Sequence, residues 1–155
     1  MFNSLQEAFD ATVAHLAKQK RRAYKNGSLV QAACSLDQAA NGCQYGFITT
    51  EGEMLNCAVG CHLPKDNDEY MHFSGTVQCL IDYHLGVREF LDIKPFSDQE
   101  NFSRTLNFWT ELQRAHDCSN LSEPPLDCIK YALNKVAYNY SLDPASIETI
   151  TEWSY

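Results

Sequence analysis

The sequence predicts an α+β fold, mostly helical, with about five helices and one small antiparallel β-hairpin in a single globular domain over residues 1–155. Three observations carry this expectation. Apolar residues recur at three- and four-residue spacing in several stretches, as amphipathic helices require. All seven glycines fall between Gly27 and Gly86, so the backbone reverses there and is free of such breaks elsewhere. A chain of 155 residues, 45% hydrophobic and 21% charged with only five prolines, is enough for one packed core and too short for two, and it is not a disordered or low-complexity composition.

Ser4 followed three residues later by Glu7 forms a capping box, and Leu5, Phe9, Val13 and Leu16 then mark one face. The first helix is predicted over about 5–23, ended by Asn26-Gly27. Gln44–Thr49 and Met54–Val59 flank Thr50-Glu51-Gly52-Glu53, a short connection with glycine where a reversal needs it, which predicts a hairpin over 44–60. Two strands alone are marginal in water, so Ala58, Val59 and Leu63 should hold it against the helices, the central one above all. A polar loop, Lys65–Glu69, leads to a helix capped near Ser74, with Val77, Leu80, Ile81, His84 and Leu85 on one face and Gly86 closing it. After the turn at Lys94-Pro95-Phe96, Ser97 and Glu100 form a second capping box. They open the most regular amphipathic stretch, 98–117, whose buried face is Phe102, Leu106, Trp109, Leu112 and His116. Ser122-Glu123-Pro124-Pro125 opens another helix with the stripe Leu126, Ile129, Leu133, Val136 and Tyr140. Asp143-Pro144 starts a short terminal helix carrying Ile147 and Ile150.

The net charge is −8, unevenly spread. Lys18, Lys20, Arg21, Arg22 and Lys25 outweigh Glu7 and Asp10, so residues 1–25 carry +3 and the remainder −11. An acidic surface repels phosphate, which argues against direct nucleic-acid binding. The basic run reads as the last turn of the first helix, where cations complement the dipole; contact with an anionic partner is the other reading. Glu7 arrives before any apolar signal region, and no run nears the roughly 18 apolar residues of a spanning helix, so neither secretion nor membrane insertion is expected. Seven cysteines, an odd number, then fit free thiols in a reducing cytoplasm, Cys79 and Cys128 being small core side chains.

Cys43-Gln44-Tyr45, Gly52, Asn56-Cys57-Ala58-Val59-Gly60-Cys61-His62-Leu63-Pro64 and later Leu112-Gln113-Arg114-Ala115-His116-Asp117 stand in a particular order. Over roughly residues 1–120 the chain resembles a family of small tailed-phage and prophage accessory proteins. In these a cysteine-bearing strand and turn lead into a Lys-Cys-Ala-Val-Gly-Cys-Leu-Ile-Pro-like segment, and a later helix ends in Leu-Gln-x-x-His-Asp. This chain departs from the pattern at Asn56, in place of a basic residue, at His62, and in the extra Cys34 and Asn41-Gly42. The resemblance implies phage origin, location in the host bacterial cytoplasm and an accessory role, and supplies no mechanism. Many small phage accessory proteins bind and block a host or defence protein, anti-CRISPR proteins being one counter-defence form.

Several constellations invite chemistry. Cys34, Cys43, Cys57, Cys61 and His62 are soft ligands of the kind zinc takes, but Cys57-x3-Cys61 on a strand-like segment lacks the usual knuckle spacing, and packing as small hydrophobes is the plainer reading. His116-Asp117 has the form of an oriented general base, yet it falls on the buried face at a helix end, where imidazoles fix turns. A Cys57 or Cys61 nucleophile with His116 would make a hydrolase-like pair, unsupported by any nucleophile elbow. Asp66-Asn67-Asp68 lacks the glycine and distal glutamate of a calcium loop. The acidic residues after position 26 also suggest a mimic of duplex DNA, diluted by seven interspersed basic residues. The expectation is therefore a non-enzymatic protein without cofactor or metal. It binds a partner through Asp66, Asp68 and Glu69 with Tyr70 as an exposed anchor, or else through the basic run or Trp153 and Tyr155. The rival is a metalloprotein or hydrolase-like enzyme centred on Cys57, Cys61, His62 and His116.

Overall fold

The computed structural model describes residues 1–23, 45–71, 73, 75–96, 101–117 and 124–154. They are mostly helical, in six α-helices: α1 (Leu5–Gln19), α2 (Asp68–Met71), α3 (Val77–Tyr83), α4 (Val87–Leu91), α5 (Phe102–Asp117) and α6 (Pro125–Tyr140). Short 3-10 turns lie at Gly60–His62, Lys94–Phe96 and Ala145–Thr149. The expected caps at Asn26-Gly27, Ser74, Ser97 with Glu100 and Ser122 lie outside the described residues, as do Lys25, Cys34, Cys43, Cys118 and Tyr155.

α1 opens as its sequence requires: the Glu7 amide donates to Ser4 Oγ at 3.1 Å, and the Glu7 carboxylate accepts from the Asn3 amide at 2.7 Å. It ends at Gln19 rather than 23, because Lys20 turns left-handed (φ 59°) and sends its N–H back to the Leu16 carbonyl. Residues 20–22 instead run parallel to the chain's last residues, Arg22 N donating to Ser154 O and Ser154 N to Lys20 O, both at 3.0 Å. The basic run is therefore not one solvated helix turn. Lys20 pairs with Glu152 at 3.1 Å, Arg21 with Glu53, and Arg22 with Asp117 at 3.8 Å, three acids from three separate segments.

β1 (Gly46–Ile48) and β2 (Met54–Asn56) are three residues each, antiparallel, with Gly46 opposite Asn56 and Ile48 opposite Met54. Gly52 takes φ +82° in the connection, where an L side chain is strained. The bonds Thr49 N to Glu53 O and Cys57 N to Tyr45 O make Gly46–Asn56 a non-hydrogen-bonded pair, so the Asn56 backbone faces away from β1. The Gln19 amide meets it there, accepting from Asn56 N at 2.9 Å and donating to Asn56 O at 3.0 Å. The strands thus hang on α1 through Gln19, and β1 lies against α2.

Past β2, Cys57, Ala58, Val59 and Gly60 are all buried. A Cβ on Gly60 would lie 1.6 Å from the Tyr45 carbonyl oxygen, so only glycine fits. The Cys-Ala-Val-Gly segment is a packing plug.

α5 packs on α6 and on α3, with Phe108, Trp109 and Leu112 fully buried. Its buried stripe runs Thr105, Phe108, Trp109, Leu112, Ala115 and His116, which leaves Leu106 half-buried, contrary to expectation. Leu126 and Tyr140 of α6 are likewise half-buried, and Cys128 and Ala137 take their places inside. Ile147 and Ile150 are buried on a 3-10 turn against α1.

Candidate functional site

The acidic loop predicted as a contact surface starts α2. Asp66, Asp68 and Glu69 are exposed. Asn67 caps the turn, its side-chain oxygen accepting from the Glu69 and Tyr70 amides at 3.1 and 3.3 Å, so the carboxylates stand on a held backbone. Tyr70 is not the exposed anchor expected: it is half-buried, its ring 5.2 Å from His84 in an edge contact and its hydroxyl near Gly86. Phe73 joins the same cluster, 5.6 Å from His84 and 6.1 Å from Tyr83.

The exposed anchors lie next door. α3 is capped by Thr76, whose hydroxyl accepts from the Cys79 amide at 3.1 Å, and it ends at Tyr83, so His84–Gly86 form a turn instead of a third helical turn. His84 folds inward and Leu85 outward. Tyr83 is 77% exposed and Leu85 82%, although Leu85 had been expected on the buried face. Glu69 approaches His84 at 3.8 Å, which places the α2 carboxylates beside these two apolar side chains, with Asp82 of α3 adjoining. Helical spacing hid this arrangement, since it counts Leu85 as one more turn of α3. The signal that finds it is Gly86 immediately before Val87, a start for a separate α4.

The cysteine and histidine candidates are seated in packing. Cys57 is buried, its sulfur accepting from Gly60 N at 3.2 Å. Cys61 donates to the Ala58 carbonyl at 3.4 Å, and burial pushes its thiol up to about 12, far from thiolate character near neutrality. His62 lies between Phe2 and Trp109, each ring centroid 5.1 Å away. Thr12 Oγ1 donates to Ala8 O at 2.8 Å, so at 2.8 Å from His62 Nε2 it accepts the ring proton. Burial pulls His62 down to about 4, with the charges of His15 and the N-terminus adding to it; burial lowers His15 as well. Among the described residues no three His, Cys, Asp or Glu side chains are placed to hold a metal ion.

His116 is fully buried. The Ala23 amide donates to Nε2 at 3.3 Å, which spends the imidazole lone pair and leaves Nδ1 as the protonated nitrogen, donating to Asp117 Oδ1 at 2.9 Å. Burial alone would raise the Asp117 carboxyl. The hydrogen bond from His116, the Arg22 guanidinium and the Gln113 amide at 2.9 Å outweigh it and hold the carboxyl below its usual range. With its acceptor nitrogen occupied by backbone, the ring ties the segment after α1 to the end of α5, and Trp153 covers it edge-on at 6.0 Å. This is the role of a structural histidine.

No family model matches the chain, and neither the curated proteins nor the solved structures hold a significant match to it. Function rests on the chain's own surface. Among the described residues no helix is long and apolar enough to cross a membrane.

Proposed function

We propose that the chain is a phage accessory protein of the host bacterial cytoplasm that binds a host or anti-phage defence protein and inhibits it. Binding is through the α2–α3 surface, where Asp66, Asp68 and Glu69 adjoin the exposed anchors Tyr83 and Leu85. The small antiparallel hairpin over 44–60 serves as scaffold. The observation that carries the reading is the adjacency of Glu69 to the His84 turn, which joins a carboxylate cluster to Tyr83 and Leu85, two large apolar side chains more than three-quarters exposed. Carboxylates speed the encounter with a basic partner face, and desolvated aromatic and aliphatic anchors hold the bound state. Cross-linking mass spectrometry in lysate of infected cells identifies the partner, and binding kinetics at two ionic strengths test the assignment. Reversing Asp66, Asp68 and Glu69 to lysine should slow association and flatten its salt dependence. Tyr83→Ala and Leu85→Ala should each speed dissociation, at about 1–3 kcal/mol. Rates unchanged in all three variants place the interface elsewhere.

A further inference from the structure

We propose that the groove between α5 and α6 is a second docking site, built for an acidic amphipathic helix of a partner protein, sharing no residue with the surface above and of opposite charge to it. The cleft measures about 350 Å³. Its floor is small and apolar, Ala115 from α5 with Ala132 and Val136 from α6, so an apolar side chain can sit between the two helices. Arg114 lines one bank and Lys135 the other; both are exposed, and among the described residues neither has an ion-pair or hydrogen-bond partner.

Among the described lining residues the one carboxylate is Glu111. Glu111 accepts from Asn139 Nδ2 at 2.9 Å and from the Tyr140 hydroxyl at 3.4 Å. The cleft thus sets Arg114 and Lys135 against the single charge of Glu111, a local excess of positive charge on a chain of net charge −8. Five other cations of the described residues pair with carboxylates: Lys20, Arg21 and Arg22 as above, Arg88 with Asp92 at 3.6 Å and Lys130 with Glu148 at 3.0 Å; among the described residues the exposed Lys18 and Lys65 form no ion pair, but they do not line this cleft. Charge complementarity therefore selects an occupant with carboxylates for both banks. The floor selects one apolar residue between them, and a groove along two helices suits a third helix. Tyr131 lines the same cleft and is 71% exposed, an aromatic of the kind that carries binding energy when covered.

The test is a displayed library of helical peptides, panned against the intact protein, with affinities of the enriched peptides then measured by fluorescence anisotropy. Enriched peptides should carry Asp or Glu on both sides of an apolar residue at helical spacing. The double variant Arg114→Glu/Lys135→Glu should weaken them by about 30-fold, as expected for two charge pairs, and raised salt should weaken the wild-type complex. Ala132→Gln fills the floor with charge unchanged and should also lose binding; thermal melts of both variants matching the parent show that the fold is intact. Enrichment without an acidic consensus, or affinity indifferent to both variants, overturns the proposal. Binding of a labelled single-stranded DNA oligonucleotide that the double variant abolishes overturns it too, and assigns the groove to nucleic acid. No residue is shared with the Asp66–Leu85 surface, so either assignment can fail alone.

Discussion

Replacing Gly60 by alanine tests the packing plug most directly. The new Cβ would lie 1.6 Å from the Tyr45 carbonyl oxygen and 2.5 Å from its carbon, whereas ordinary contact begins at 3.4 Å, so one backbone must withdraw by roughly 2 Å. Neither can do so freely. Tyr45 is 2% exposed and its carbonyl accepts the Cys57 amide at 3.1 Å, while Cys57, Ala58 and Val59 sit at 0–1% exposure. Overpacking of a filled core costs about 1–3 kcal/mol, and the lost bond, with a buried donor left unpaired, about 1–3 more. The expected total is about 3–5 kcal/mol, a large part of a domain's stability. Urea unfolding followed by tryptophan fluorescence reads it through the buried Trp109 and Trp153. Gly52→Ala is the internal standard: φ is +82° with open space around, so only backbone strain of about 1–2 kcal/mol applies. A Gly60→Ala midpoint equal to the parent's, or shifted less than that of Gly52→Ala, refutes the reasoning.

Trp109→Ala should cost about 3–5 kcal/mol in the same assay, and Trp109→Phe about 1–2, since the indole N–H donates to the buried Leu91 carbonyl at 2.8 Å. His62 has a folded-state pKa below its unfolded value, so its contribution is fully present above about pH 6.5 and is lost as pH falls toward 4; urea midpoints over that window should drop less steeply in His62→Gln, and equal slopes would exclude the effect. Asp117→Asn strips the carboxylate that holds His116 and Arg22, so stability should fall by about 3 kcal/mol and the Ala23 amide should exchange hydrogen faster; exchange at the parent's rate would contradict the tie. Cys61 should react slowly with a soluble thiol reagent at pH 8 until the protein unfolds, and fast labelling of the folded form would contradict its raised pKa.

The helices were legible because their signals are local. Ser4 with Glu7, the stripe from Leu5 to Leu16, and Pro125 opening α6 act within one or two turns, and the structure keeps them. What the sequence hid depends on distant partners. Lys18 to Arg22 read as a helical charge cluster, and only Glu152, Glu53 and Asp117 reveal why α1 stops early. Tyr70 read as exposed because it follows Asp66–Glu69, whereas its ring meets that of His84, which Phe73 in turn contacts. Leu85 erred in the other direction, since helical spacing presumes that the helix continues. His116 was legible as buried on its face of α5, but its partner, the Ala23 amide, lies 93 residues away. The cleft that Arg114 and Lys135 share was hidden for the same reason, since it arises only when α5 meets α6.

The Gln19 side chain also bears on how the protein avoids joining itself to others. A strand pair of three residues each leaves N–H and C=O groups along its outer edge, and such edges recruit further strands from neighbouring chains. At Asn56 that edge is closed from within, because one amide side chain presents the donor and acceptor that another strand would bring. The same nitrogen reaches the Arg21 carbonyl at 2.7 Å, so the guard is anchored at the point where α1 ends. The β2 edge is thus closed to a further strand at Asn56 by the chain's own first helix.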